Sequence, residues 1–253
     1  MDKLNWLIDY LINEYDTVPD IPECDNEFDK FRCLINIRRP APISDEFIKI
    51  QNEVLQEINS SREIADIEDM KPVKDNLYIW QGDITALKID AIVNAANKEM
   101  TGCYRPMHKC IDNCIHTYSG VQLRLQCAAI MEDQMHPEYT GFAKITSAYN
   151  LPSRYVIHTV GPIVCEESGP TENDCNLLRN CYLSCLYTAR QFDLRSIAFC
   201  CISTGLFHFP NRQAAQIAIE TVSSFLTEHH SRMKVLFNVF TDEDLNIYKE
   251  LLV

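Results

Sequence analysis

Leu4, Leu7, Ile8, Leu11 and Ile12 recur at helical spacing in MDKLNWLIDYLINEYD, and the pattern predicts a helix over 1–16. Pro19 and Pro22 end it. FDKFRCLINI predicts a second, short helix over 28–37. RRPAPIS (38–44) reads as a proline-punctuated loop, and its Ser44 can cap a third helix, DEFIKIQNEVLQEI, with acids in the first turn. Residues 59–75 are polar and read as a connection. The first 75 residues therefore predict a helical N-terminal extension whose apolar faces must cover something, and the remainder of the chain is the natural candidate.

From residue 76 the period changes. LYIWQG and IDAIVNAA read as strands, 110–133 as one helix, and AKITSAYN and RYVIHTV as strands. Asp174–Phe192 reads as a helix, SIAFCCIS as a buried strand, Arg212–Glu228 as a helix, KVLFNVF as a strand and DEDLNIYKELL as a last helix. Strands alternating with helices of this length predict a mixed or mostly parallel sheet with helices on both faces. Such folds bind ligands at the carboxyl ends of their strands, so the loops after 93, 160 and 202 are the ones to inspect.

Composition narrows the function. The net charge is -13, which opposes binding of a nucleic-acid backbone or an anionic membrane but leaves room for one small nucleotide in a local site. No apolar run reaches the roughly 18 residues of a membrane span. The acidic residues in the first apolar stretch argue against a secretory signal. Twelve cysteines without such a signal predict reduced thiols in a cytoplasmic setting, or a nuclear one. Most read as small core residues, such as Cys200 and Cys201 in IAFCCIS. Glycine is scarce, with 7 in the chain, so few loops can wrap a ligand through glycine's backbone freedom.

The loop TGCYRPMHKC (101–110) follows a predicted strand and precedes a helix, where many nucleotide-binding folds place a glycine-rich phosphate loop. Here Cys103, His108 and Cys110 stand instead. Two thiolates and an imidazole within eight residues can close around one Zn²⁺. The same three side chains also read as ordinary members of a cysteine-rich chain. Cys114, one helical turn after Cys110, is a candidate fourth ligand. A closed four-ligand site is structural, whereas an open position is catalytic. Asp112, at the predicted helix start, serves either the helix dipole or general-base chemistry. His116 and His158 read as packed histidines. Asp83 sits in a GDIT turn, as a local cap or as an acceptor for a base amino group. Asn94 and Asn97 bracket NAAN and can serve loop backbone or a ribose hydroxyl. Ser203-Thr204-Gly205-Leu206-Phe207 lies between a strand and a helix and suits a phosphate contact through backbone N–H groups.

GDIT, VNAAN, a loop and helix ending in IH, YVIHTVGP, CISTGLF and a terminal VLFNVF occur in one order. The set resembles the macrodomains, ADP-ribose-binding α/β/α modules, over 76–253. The loop GCYRPMHKCIDNCIH, with an extension containing PISDEFIKIQNEVLQ, resembles the zinc-containing subclass that partners sirtuin-type ADP-ribosyltransferases in bacteria. The resemblance implies a three-layer α/β/α fold with a mixed central sheet, preceded by the helical extension over 1–75. It implies removal of mono-ADP-ribose from proteins, with aspartate and glutamate esters as the linkage. By the same resemblance, Asp83 and the adjoining Ile84 receive the adenine and Phe240 stacks on it. Ser203, Thr204, Gly205, Leu206 and Phe207 hold the diphosphate, with Phe207 against the distal ribose. Asn97 binds that ribose, Cys103, His108 and Cys110 hold zinc beside it, and Asp112 occupies the family's acidic position. His208 stands where many ordinary macrodomains carry glycine. Two other activities fit the same pieces: a non-catalytic ADP-ribose reader with a structural zinc, and hydrolysis of O-acetyl-ADP-ribose.

Overall fold

The computed structural model describes residues 2–252, so the predictions that touch Met1 and Val253 fall outside it at those two positions. Three helices come first: α1 (Lys3–Ile12), α2 (Glu27–Ile37) and α3 (Asp45–Ser61). Each has a side-chain cap at its start. Asp2, Asn26 and Ser44 accept from the backbone N–H groups of Leu4, Asp29 and Phe47. Leu7, Leu11, Phe31, Leu34, Phe47 and Leu55 close a core of their own, which Val121 joins from the rest of the chain. At about 1.5–3 kcal/mol for each fully buried large apolar side chain, this cluster rather than helix propensity holds the layer together.

The polar connection after α3 is not structureless. It contains a short strand β1 (Ala65–Asp66) and a single 3-10 turn, Ile67–Asp69. Then come β2 (Leu77–Gln81), a 3-10 turn Ile84–Ala86, β3 (Leu87–Lys88), β4 (Ala91–Ala95), α4 (Ile111–Ser119), α5 (Val121–Gln134), β5 (Ala143–Ser147), β6 (Tyr155–Thr159), α6 (Glu172–Gln191), β7 (Ser196–Phe199), α7 (Asn211–Glu228), β8 (Lys234–Val239) and α8 (Asp242–Leu252). β1 pairs in parallel with β3. The main sheet has six strands in the order β2-β8-β7-β4-β6-β5, parallel throughout except for β5, which runs antiparallel to β6. This is the mixed sheet expected.

Side-chain alternation assigns the faces. Phe199 and Phe237 are register partners, and they meet Tyr182 of α6 and Tyr248 of α8. Asn94 and His158 are register partners on the other face, where they meet Asp112 of α4 and Cys127 of α5. The loop after β4 thus leads to one face, while those after β6 and β7 lead to the opposite one. Neighbouring strands β4 and β7, whose loops diverge to opposite faces, define a crevice at their carboxyl ends, the place where open α/β sheets bind ligands.

Two expectations are corrected. The stretch 110–133 is not one helix, because α4 stops at Ser119 and α5 restarts at Val121. Gly120 has φ +94°, a conformation L side chains disfavour, and a Cβ there would lie 2.5 Å from Gln51 Nε2. Gln51, fully buried on α3, accepts from the Val121 N–H at 3.0 Å that the break frees. The strand expected over 196–203 also ends early, at Phe199, and its remaining residues begin the loop toward α7.

The N-terminal layer docks on α4 and α5 by polar contacts as well as Val121. Arg124 Nη1 donates to the carbonyls of Ile35, Asn36 and Arg38 at 2.6–3.0 Å, a cation at the carboxyl end of α2. Asn59 donates to the carbonyls of Tyr118 and Asn150.

Candidate active site

The crevice is flanked by the loop 96–110 after β4 and the loop 200–210 after β7. In the first, the ligand atoms of Cys103, His108 and Cys110 all lie within 4.8 Å of one another. Cys103 Sγ is 3.5 Å from His108 Nδ1. Two soft sulfurs and an imidazole at that spacing are the donor chemistry of a zinc site. Burial pushes the Cys110 thiol up to about 12, so a cation binding there must displace its proton. Cys114 does not join the three. Helical spacing would have put it on the face of Cys110, but Cys110 is the extended N-cap of α4 (φ -75°, ψ 155°) and not part of the helix. The Cys114 thiol instead lies 3.6 Å from Arg32 Nη2.

Asp112 stands in the first turn of α4 and is 5% exposed. Burial raises its carboxyl to about 6, a shift opposed by the hydrogen bond from Asn94. Asn94 is fully buried and does not reach toward a ligand. Its Nδ2 donates to Asp112 Oδ1 at 2.8 Å and to His158 Nδ1 at 3.1 Å. With Nδ1 accepting, the His158 proton sits on Nε2, 2.9 Å from Thr146 Oγ1. Burial holds His158 down to about 3, and His116, buried with no hydrogen-bond partner on either nitrogen, well below its ordinary value. Both are neutral core imidazoles.

Asn97 is placed differently from Asn94. Its Nδ2 donates to the Gly102 carbonyl at 3.0 Å and approaches Asp112 Oδ2 at 3.5 Å, while its Oδ1 is buried without a partner. Asn94 Oδ1 is also buried without a partner, but only Asn97 is partly exposed, and an orphaned acceptor there calls for a donor. Asn97, Asp112 and the three donors thus share one loop and one helix start.

Across the crevice, Ser203 adopts φ +66° and His208 φ +58°, where glycine is usual. Ser203 Oγ is buried without a partner, and a Cβ on Gly161 would strike it, so only glycine admits this approach of the two loops. The loop is tied back by the Phe207 carbonyl accepting from Val164 N–H at 2.9 Å and by His208 Nδ1 against Glu166 at 2.6 Å. Thr204 spends its hydroxyl on the Cys201 carbonyl, Gly205 and Leu206 are exposed, and Phe207 is half-buried.

Asp83 caps the 3-10 turn through Thr85, and its second oxygen accepts from Arg62 at 2.6 Å. A carboxylate has about four lone-pair sites, so room for a further donor remains. Ile84, next to it, is buried. Phe240, just past β8 and beside β2, is 76% exposed. The expected adenine residues therefore gather at the β2–β8 end of the crevice. Arg62 and Arg32 escaped the sequence reading because the partners that place them here, Asp83 and Asn113, lie 21 and 81 residues away, and no local spacing signals such pairs.

The macro domain model matches residues 93–218. A chain named protein-ADP-ribose hydrolase from Treponema medium is 49% identical over 254 residues, covering 98% of this chain and 97% of its own. The chain belongs to the macrodomain family. A protein-ADP-ribose hydrolase from Staphylococcus aureus (strain MSSA476) is likewise 49% identical, over 96% of this chain and 94% of its own. A Fusarium oxysporum f. sp. cubense protein named probable bifunctional ADP-ribose hydrolase/ADP-ribosyltransferase is 35% identical over 87% of this chain, a match that occupies 40% of its length. Among solved structures, the Trypanosoma brucei macrodomain in complex with ADP-ribose superposes with TM-score 0.69 at 31% identity, over 88% of this chain and 95% of that one. The Oceanobacillus iheyensis macrodomain with MES bound gives 0.64 at 36% identity, over 72% and 94%.

Proposed function

We propose that this macrodomain is a hydrolase that removes mono-ADP-ribose from modified proteins, cleaving the ester between the distal ribose and an aspartate or glutamate side chain. The observation that carries the reading is the meeting of three groups at the start of α4: Asp112, the unpartnered Oδ1 of Asn97, and the Cys103, His108 and Cys110 donors. The names of the 49%-identical relatives support hydrolysis of a protein-linked ADP-ribose, and the Trypanosoma brucei complex supports ADP-ribose as the ligand.

In this reading Zn²⁺ is held by Cys103, His108 and Cys110, and the exclusion of Cys114 from the set supports an open fourth position over a closed structural clip. A bound Zn²⁺ supplies a Lewis acid that polarises an oxygen or acidifies a water at neutral pH. Asn97 Oδ1 accepts a distal-ribose hydroxyl. Asp112, ionised above about pH 6, orients the attacking water or the ribose hydroxyl and receives its proton. Backbone N–H groups of Ser203 to Phe207 hold the diphosphate and Phe207 lies against the distal ribose. Asp83 takes the adenine amino group at Ile84, and Phe240 stacks on the ring. Binding the inert parts of the ligand in this way positions the reacting end. The Fusarium name supports a coupled transferase, and we assign it to the sirtuin type. Free thiols at all twelve cysteines fit a cytoplasmic setting.

The test is release of ADP-ribose from a glutamate-linked, mono-ADP-ribosylated protein by intact protein, zinc-stripped protein, Cys103→Ala and Asp112→Asn. Intact protein is expected to release ADP-ribose. Asp112→Asn is expected to fall about 10²–10⁴-fold while still binding ADP-ribose. If every sample binds and none releases, the hydrolase reading is wrong and the protein is a reader. Turnover of O-acetyl-ADP-ribose with none on the modified protein would also sink it. Oxygen-18 from water found in the carboxylate instead of the ribose assigns attack to the ester carbonyl.

A further inference from the structure

The loop that carries the three donors is braced inside by Pro106 and by the Asn97–Gly102 hydrogen bond, and from outside by the N-terminal layer. Gly102 is its one glycine, and Met107 sits at φ +55°, a region that disfavours a side chain. Helix α2 of the N-terminal layer supplies the outer brace. Arg32 Nη2 donates to the His108 carbonyl at 2.9 Å and to Asn113 Oδ1 at 2.8 Å, and Arg32 Nε reaches the same Oδ1 at 3.3 Å. Asn113 is fully buried. It donates its side-chain amide to the Arg105 carbonyl at 3.0 Å and its backbone N–H to Cys110 Sγ at 3.4 Å. One turn along α2, Asn36 Oδ1 accepts from the Met107 N–H at 3.2 Å. A single guanidinium therefore holds the backbone of one donor residue and, through Asn113, the sulfur of another.

We propose that Arg32 is a positioning residue of the donor loop: it sets His108 directly, and Cys110 through Asn113, in the arrangement that binds the cation, which makes the N-terminal helical layer a working part of the site. The inference rests on the reading of Cys103, His108 and Cys110 as zinc ligands. The guanidinium meets Asn113 Oδ1 through Nε and Nη2 together while Nη2 also serves the His108 carbonyl, and lysine, a single point donor on a flexible stem, cannot reproduce that two-nitrogen grip. Groups that orient metal ligands from behind typically change metal affinity by about 10–100-fold when removed.

The experiment titrates zinc against a chromogenic chelator in the full chain, with melting temperature measured on the same samples. The parent is Cys114→Ser, so that a thiol freed from Arg32 cannot stand in as a ligand. Arg32→Gln and Arg32→Lys are compared with Glu14→Gln. The last breaks the 2.6 Å pair of Glu14 with Arg38 inside the layer without touching the donor loop. Both Arg32 variants are expected to hold zinc about 10–100-fold more weakly than the parent. Glu14→Gln is expected to melt lower yet bind zinc within about twofold of the parent, as befits a site outside the orienting shell. Arg32 variants that hold zinc as tightly as the parent overturn the proposal. So does a loss of zinc that simply tracks melting temperature across all three variants. A parent that takes up no zinc overturns the donor reading itself, and its own titration tells that failure from the other two.

Discussion

Gly102 and Gly169 both sit at positive φ, +84° and +68°, and they separate two costs that a glycine-to-alanine change combines. A Cβ on Gly102 would lie 2.8 Å from the His116 ring, whereas one on Gly169 would meet nothing within 4 Å. His116 is 4% exposed and packed near Asp112 and His158, so it cannot swing aside. Gly169→Ala should cost only the backbone term, about 1–2 kcal/mol. Gly102→Ala adds overpacking of about 1–3 kcal/mol. The pair should therefore differ by that second amount, or roughly 2–12 °C in melting temperature at about 2–4 °C per kcal/mol for a chain of this size. The functional consequence is sharper. The Gly102 carbonyl accepts from Asn97, and the next residue is Cys103, so any shift of Gly102 moves the proposed ribose acceptor and a proposed zinc ligand together. The assay is thermal unfolding alongside zinc content and ADP-ribose release. Gly102→Ala is expected to lose zinc and activity while Gly169→Ala keeps both. Equal melting and equal activity in the two variants would refute the claim that contact with His116 sets the donor loop.

Phe240→Ala should leave stability within about 0.5 kcal/mol, because the ring is exposed. It should also weaken ADP-ribose binding by the roughly 1–3 kcal/mol of a base–aromatic stack; calorimetric titration beside thermal unfolding checks both halves. His158 stays neutral in the folded state down to about pH 3, while the unfolded chain protonates it near 6.5. The unfolded state thus binds more protons between those values, and stability falls as pH drops, by about 1.4 kcal/mol per unit from this group. Denaturant unfolding from pH 6.5 to 4.5 should show a shallower loss for His158→Gln than for the wild type; parallel curves would count against it. Chelation of zinc should abolish ADP-ribose release, with binding of free ADP-ribose largely retained through the Asp83, Phe240 and 203–207 contacts. Binding lost in step with release would mean that the cation shapes the pocket as a whole. Gly120→Ala should cost about 2–5 kcal/mol, from its φ and from the clash with Gln51, read as a lower midpoint in urea.

Periodicity along the chain was enough for the alternating helices and strands, because a 3.6-residue or 2-residue apolar repeat survives in any window that faces a core. Ser44 marked the start of α3 for the same local reason: a side-chain cap acts within its own turn. The ordered motifs placed Asp83, Asn97, Cys103, His108, Cys110, Ser203 and Phe240 on loops or strand ends and Asp112 at a helix start, and the strand order collects these segments along one edge of the sheet. Other features had no local signature. The break at Gly120 lies inside a run that is helical on both sides, and it persists because Gln51, 70 residues from Val121 in sequence, satisfies the freed N–H. Helical spacing put Cys114 on the face of Cys110, but spacing holds only between residues inside the helix, and Cys110 is its extended cap. Asn94 and Asn97 look alike in NAAN, and each leaves its Oδ1 without a partner, yet Asn94 is fully buried and donates to Asp112 and His158, whereas Asn97 is partly exposed and donates to the Gly102 carbonyl. The grip of Arg32 on the donor loop spans 76 positions along the chain. Local pattern encodes which face of an element is apolar; which polar groups meet is decided by how the layers dock, and in this protein the docking of the first layer onto α4 determines how the donor loop is held.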